Sequence, residues 1–446
     1  MIDIAPTLNP ILSKIVVCLV GAAVSTSAVA QLPDGWDGKQ ILTLVDADMA
    51  ATAYANGKLY PIDGTTDELI IIDVNSSGPE MVRVPVSNTV MGWPGSMVAS
   101  EDGRFLYTVT SRQQVEKGVQ SYDDGVFDGI PIADVVTMVE IAGANAVQEM
   151  SVCKKPMSVD IAPSGDWLLV ACGDPDNEVA IVPITDAGFG EPRTFDIDVP
   201  SFAERDIDGG ATYGVVHPGG NAAALVLNNR AVTLLAFDTD ADGIPMEVSA
   251  ETPTATDRWL AMARWTQKGD HLLVADTGWG PRPLDAAFNK DGYMVSFALS
   301  PDDDNRGVVS RAQVSKSPES FELNRNGDLA AVVNMERTYL PGDFPTGLFP
   351  GRKSSSLSLV KVDDKTGTLT TLGDEVDFRG VLPEDAGFDS DGDRVAVVVY
   401  QDHGDPESNG WITFFAIEGE GDERIAVETG DRIPLPRGGH DLIIID

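Results

Sequence analysis

Apolar and polar positions along this chain alternate in a module that recurs from end to end: an apolar strand, a tight turn built on Gly with Asn, Asp or Ser, a second strand, a variable loop and a third strand. Seven copies read AATAYANGKLYPIDG, SMVASEDGRFLYTVT, SVDIAPSGDWLLVAC, YGVVHPGGNAAALVL, MARWTQKGDHLLVAD, FELNRNGDLAAVVN and AGFDSDGDRVAVVVY. Taking Gly57, Gly103, Gly165, Gly219, Gly269, Gly327 and Gly392 as markers, the spacing runs from 46 residues (Gly57 to Gly103) to 65 (Gly327 to Gly392), so the period is irregular while the unit is constant. Glycine suits a hairpin turn because it takes positive φ without a Cβ clash. Third strands follow as ELIIIDV, VVTMVEI, EVAIVPI, AVTLLAF, YMVSFAL, SLSLVKV and WITFFAI, most succeeded by a polar turn and a weaker fourth strand. The strands are largely apolar rather than cleanly alternating, as expected where both faces of a middle strand are covered. Four antiparallel strands repeated seven times predict an all-β, seven-bladed β-propeller as a single domain over residues 31–446.

The first thirty residues do not fit that pattern. Lys14, the apolar run IVVCLVGAAV and the segment STSAVA have the grammar of an export leader, with Ala28 and Ala30 at the positions a signal peptidase reads and cleavage expected before Gln31. The apolar run is too short to span a bilayer, and Val17 before Cys18 argues against lipid attachment. No later segment has eighteen uninterrupted apolar residues, so no membrane span is expected. The predicted location is periplasmic or secreted. Removing residues 1–30 leaves two cysteines, Cys153 and Cys172, and an even count in an oxidising compartment suggests one disulfide, the alternative being two free thiols.

Charge narrows the partners. Lys and Arg total 31 against 70 Asp and Glu, a formal net charge of -39. A field of that sign repels nucleic acid and anionic lipid, so neither is expected as a partner.

Several segments add a family likeness. The turns KVDDKTGTLTTLG (361–373) and FDTDADGIPMEV (237–248), with KPMSVDIAPSGDWLLVACGDPDNEVAIV (155–182), resemble the lactonase and YVTN-type propellers, a superfamily that also includes the amine-dehydrogenase heavy chains. The resemblance covers roughly residues 45–420 as repeat grammar, and it implies the seven-bladed fold. The phosphogluconolactonase-like branch carries a Pro-Arg-His segment leading into a hairpin. Here the nearest echo is LPRGGHDLIIID (435–446), where His440 follows Arg437 after two glycines, so no catalytic residue is carried over. This tail is expected instead to close the ring, as a terminal strand in the blade formed by the other end of the chain.

Loop lengths point to one rim. Second-to-third-strand connections are short in blades three and four (CGDPDN, NNR) and long in blade two (TSRQQVEKGVQSYDDGVFDGIPIAD), blade five (DTGWGPRPLDAAFNKDG), blade six (NMERTYLPGDFPTGLFPGRKSS) and blade seven (YQDHGDPESNG). They gather Arg112, Trp279, Arg282, Arg337, Tyr339, Phe344, Phe349, Arg352, Lys353 and His403, an aromatic and basic set in an acidic chain. Arg forks bind carboxylate or phosphate and aromatic faces stack on sugars, so this rim is a candidate for binding a small anionic or carbohydrate-like ligand or a partner protein. The bland alternative is that Arg pairs with neighbouring acids and the rings anchor long loops.

Other chemistry is sparse. The strings at Asp238, Asp240 and Asp242 and at Asp389, Asp391 and Asp393 invite a calcium test, but Ser249 stands where a calcium loop would place Glu, and both strings read as turns. Four histidines leave no metal cluster, and no metal or cofactor is assigned. His403, beside Asp402 and Asp405, is either a general base or a solvated loop residue. No GxSxG, HExxH, P-loop or CxxCH motif is present. The first functional reading is a binding module. The alternatives are a lactone or ester hydrolase using His403, Arg337 and Arg352, and a propeller subunit of a periplasmic oxidoreductase.

Overall fold

The computed structural model describes residues 30–75, 78–197, 210–256, 258–280, 288, 291–341 and 353–446; the leader, Arg282, Phe344, Phe349 and Arg352 lie outside them. Seven antiparallel sheets form the seven-bladed propeller. Blade two runs Met97–Ala99, Phe105–Arg112, Ile132–Glu140 and Asn145–Ser151 from axis to rim. Blade three shares its outer position between two short strands, Gly188–Phe189 and Arg193–Phe195, both paired with Val179–Thr185. The innermost strands touch in a ring: Met97–Ala99, Pro156–Ile161, Ala211–Val216, Leu260–Trp265, Pro318–Leu323, Val381–Phe388, Gly439–Ile445 and back to the first.

Ring closure follows the expectation for the tail. Gly439–Ile445 is the innermost strand of blade one and pairs antiparallel with Gln40–Val45, from Gln40 opposite Ile445 to Val45 opposite Gly439. Two covalently distant termini thus satisfy each other's backbone groups and leave no inner edge open.

One repeat is corrected. The segment AATAYANGKLYPIDG is not a blade hairpin: Ala53–Asn56 is a short helix, and Gly57, at φ 69°, caps it by donating its N–H to the Ala53 carbonyl. It lies in the connection between the second and third strands of blade one. Helix caps and hairpin turns both use glycine at positive φ, which is why the local pattern reads the same for both. In five of the other six copies the marker glycine is the fourth residue of the turn, as where Gly103 N–H meets the Ser100 carbonyl at 2.9 Å. In the fourth copy the residue at positive φ is Gly220 (φ 73°) rather than Gly219.

Middle strands are buried on both faces: every residue of Trp167–Cys172, Ala222–Leu227, His271–Asp276 and Leu329–Asn334 is buried. Apolar layers lie between neighbouring blades, as where Trp167 of blade three meets Phe237 of blade four edge-on at 5.4 Å. Cys153 and Cys172 form a disulfide with Cα atoms 6.2 Å apart, tying the link that leaves blade two to the second strand of blade three. Among the described residues no helix is long and apolar enough to cross a membrane.

Candidate functional site

The long connections converge on one face, but their rings face each other. Trp279 lies 6.0 Å from Trp93 and 5.9 Å from Tyr339, and its Nε1 donates to Ser317 Oγ at 2.9 Å. Met49, Leu59, Val126, Ile130, Met335, Leu340, Leu382 and Tyr400 complete an apolar cap drawn from blades one, two, six and seven. Arg112 is half-buried and donates from Nη1 to the Ile130 carbonyl at 2.7 Å, anchoring a loop. Arg337 is half-buried beside the cap, and among the described residues its buried Nε has no hydrogen bond. Of the predicted binding residues described here, Trp279 and Tyr339 are brought together, with Arg337 two residues from Tyr339. Arg112 meets the cap at the Ile130 carbonyl, and His403 lines a separate cleft.

His403 borders a cleft of about 510 Å³ with Lys353, Asp377, Phe378, Arg379, Asp402 and Glu428. Arg379 is paired there with Asp402. Burial first, and the Lys353 charge second, hold the imidazole below its ordinary pKa. It is therefore neutral at pH 7, but carboxylates outnumber the free cations around it, which disfavours an anion in this cleft.

The acidic strings are turns. Asp240 Oδ1 accepts the N–H groups of Asp242 and Ile244 at 3.0 Å each, and Asp389 Oδ1 accepts those of Asp393 and Arg394, also at 3.0 Å.

A carboxylate trio that the sequence reading did not single out lies under the cap. Asp46 and Asp48 follow the strand Gln40–Val45, Asp67 precedes Glu68–Asn75, and one oxygen from each lies within 4.8 Å of the others. Asp46 accepts the N–H groups of Asp48 (3.1 Å) and Val90 (3.0 Å), and Asp48 accepts that of Val115 (2.8 Å). Burial, then the Asp48 charge, push Asp46 up to about 7; burial, then Asp46 and Asp48, push Asp67 up to about 9. The nearby Arg437 is buried and aims its guanidinium at the carbonyls of Tyr60, Pro406 and Ala47. The only sequence signal is the acids bracketing a long connection, VDAD at one end and DE at the other.

A second set crosses the propeller axis. Arg264 on the innermost strand of blade five donates to the Tyr213 hydroxyl at 2.5 Å and faces Glu322 at 3.4 Å. Burial lowers its pKa, but Tyr213, Glu322, Asp385 and Asp160 more than offset this and hold it above the ordinary value. Burial raises Asp160 to about 6 even though its oxygens accept the Val216 and Ile161 N–H groups. Asp441 accepts the Gly95 and Ser96 N–H groups at 2.6 and 2.8 Å, and Asp385 accepts that of Leu442 at 3.1 Å. Each of these side chains comes from a different blade or blade junction.

Four members of this set line an axial cavity of about 440 Å³. Its inner end presents Asp160, Tyr213, Arg264 and Glu322; its mouth, among the first hairpin turns, presents Arg325, Asp389, Ser390 and Asp446. The capped face is at the other end of the axis. Carboxylate acceptors, a fixed guanidinium and a phenol thus share one concave space of ligand size.

No family model matches the sequence, and no curated protein matches it. Solved structures do resemble it in shape. A candidate 6-phosphogluconolactonase from Bacteroides fragilis is 13% identical, with 92% of this chain and 98% of that chain covered and a TM-score of 0.59. Another from Bacteroides uniformis is also 13% identical, covering 92% and 100%, with a TM-score of 0.58. A protein of unknown function from Desulfotomaculum acetoxidans is 9% identical, covering 91% and 98%, at 0.53. At such identities the likeness shows the fold alone.

Proposed function

We propose that this chain is an exported binding propeller that holds a small, hydroxyl-rich, carbohydrate-like ligand in its axial cavity. The observation that carries the reading is the mixed polar lining of that cavity, with Arg264 and Tyr213 set between Asp160 and Glu322. Sugar hydroxyls both donate and accept, so they use carboxylates and a guanidinium together. A simple anion meets four carboxylates there against two arginines and is repelled. Export is supported by the leader grammar of residues 1–30 and by the Cys153–Cys172 disulfide.

Native mass spectrometry of the protein purified from its own host, followed by calorimetry against neutral sugars, sugar acids and their lactones, tests this reading. The expected result is one retained small molecule, with affinity reduced roughly tenfold or more in Glu322→Gln and Arg325→Ala. Binding that is unchanged in both variants, or no binding across the panel, rejects it. A second reading, lactone hydrolysis, is favoured by one observation: Asp160 lines the cavity with a pKa of about 6, suited to general base work. Turnover of a lactone that is lost in Asp160→Asn supports it, and no turnover removes it.

A further inference from the structure

We propose that Asp46, Asp48 and Asp67 form a calcium site that locks the loop cap to the closure blade. The ligand oxygens lie within 4.8 Å of one another, the spread that a single ion about 2.4 Å from each can bridge. The donors are all carboxylate, without His or Cys, which selects a hard cation.

Asp67 points independently to a ligand. It is 2% exposed, and among the described residues neither of its oxygens makes a hydrogen bond of normal geometry, although the Gln114 side chain and the Asn88 N–H face it. A buried carboxylate left this way is costly unless a cation or a proton meets it. Arg437 does not fill that role, because its guanidinium is directed at three carbonyls. Asp48 is only half-buried and gives the ion, and the waters that complete its shell, a path from solvent.

The consequence is mechanical. Asp46 and Asp48 already hold the backbone of Val90 and Val115, in the link from blade one to blade two and in the long blade-two connection. An ion added to the trio joins these segments to the start of the blade-one third strand through Asp67.

The test uses the full mature chain stripped with EDTA and titrated with CaCl2 by calorimetry and thermal melting, at ionic strength held constant with KCl. The expected result is one calcium per chain and a melting midpoint raised by about 3 °C or more at saturating calcium. Asp67→Asn, which keeps the shape and removes the charge, is expected to weaken binding at least ~100-fold and abolish the shift. Should that variant not fold, Asp48→Asn, at the half-buried position, is expected to weaken binding by ~10-fold or more. No heat and no shift in the unmodified chain overturns the proposal. A shift of equal size in the variant also overturns it, because that assigns the effect to counterions spread over an acidic surface.

Discussion

Replacing Glu319 by Gln tests the electrostatics of the propeller axis. Glu319 and Glu384 are fully buried neighbours joined by a side-chain hydrogen bond, in which the Glu384 carboxyl keeps its proton and donates to Glu319. Among the described residues the second oxygen, Oε2, of each has no hydrogen-bond partner. Burial, with the Asp385 charge added, raises Glu319 to about 8 from an ordinary 4.5. The folded chain therefore holds a proton that the unfolded chain has released, so stability is greatest below about pH 4.5, falls as pH rises through about 8, and flattens beyond. At about 1.4 kcal/mol per pKa unit the ceiling on that loss is ~5 kcal/mol, and relaxation with water entry reduces it to ~2 kcal/mol or more. Glu319→Gln still accepts from Glu384 and cannot ionise. Guanidinium unfolding followed by tryptophan fluorescence in EDTA, from about pH 4.5 to about pH 9, reads the difference between the two chains. Near pH 4.5 the curves are expected to meet, and above about pH 8 the variant is expected to be the more stable by ~2–5 kcal/mol. Other raised carboxyls, Asp46, Asp160 and Asp67, tilt both curves alike and cancel in the difference. Parallel curves, or a gap that opens toward acid, refute the reasoning.

Two further outcomes follow from covalent and backbone constraints. Reducing the Cys153–Cys172 bridge, which spans 19 residues of sequence, is expected to lower stability by about 3 kcal/mol in denaturant titrations with and without reductant. Gly438→Ala is expected to cost more than ~3 kcal/mol or prevent folding, because Gly438 sits at φ 103° and a Cβ there would meet the Asp46 carbonyl oxygen at 1.7 Å. Gly243→Ala, at φ 80° in open space, is the matched control at about 1 kcal/mol, read by the same unfolding midpoint.

The long loops bring their aromatic residues together. Rings of Trp93, Trp279 and Tyr339 pack at tilted angles in a shared apolar cap, where their contacts order long connections. The concave polar space lies instead at the hairpin-turn end of the axis, where loops are short and all seven blades contribute to the lining.

Sequence alone determined what is local or periodic. Strand, glycine turn, strand is a pattern that each blade carries within its own span, and six of the seven hairpins read from it stand. The apolar middle strands, the pairing of the tail with the first strand, the two turns at Asp240 and Asp389, and the disulfide were legible for the same reason: each depends on a short pattern or on a count. Tertiary structure decided the rest. Gly57 serves a helix cap because its segment has no partner strand in the ring, a fact set by the opposite end of the chain. Asp46 and Asp67 lie 21 residues apart in sequence, and Asp160, Arg264, Glu322 and Asp441 sit on four different blades, so no motif spacing announces either set. Ring closure brings the inner strands and their loops together, and the resulting burial, which no residue carries by itself, raises Asp46, Asp67 and Asp160 above the ordinary carboxyl range.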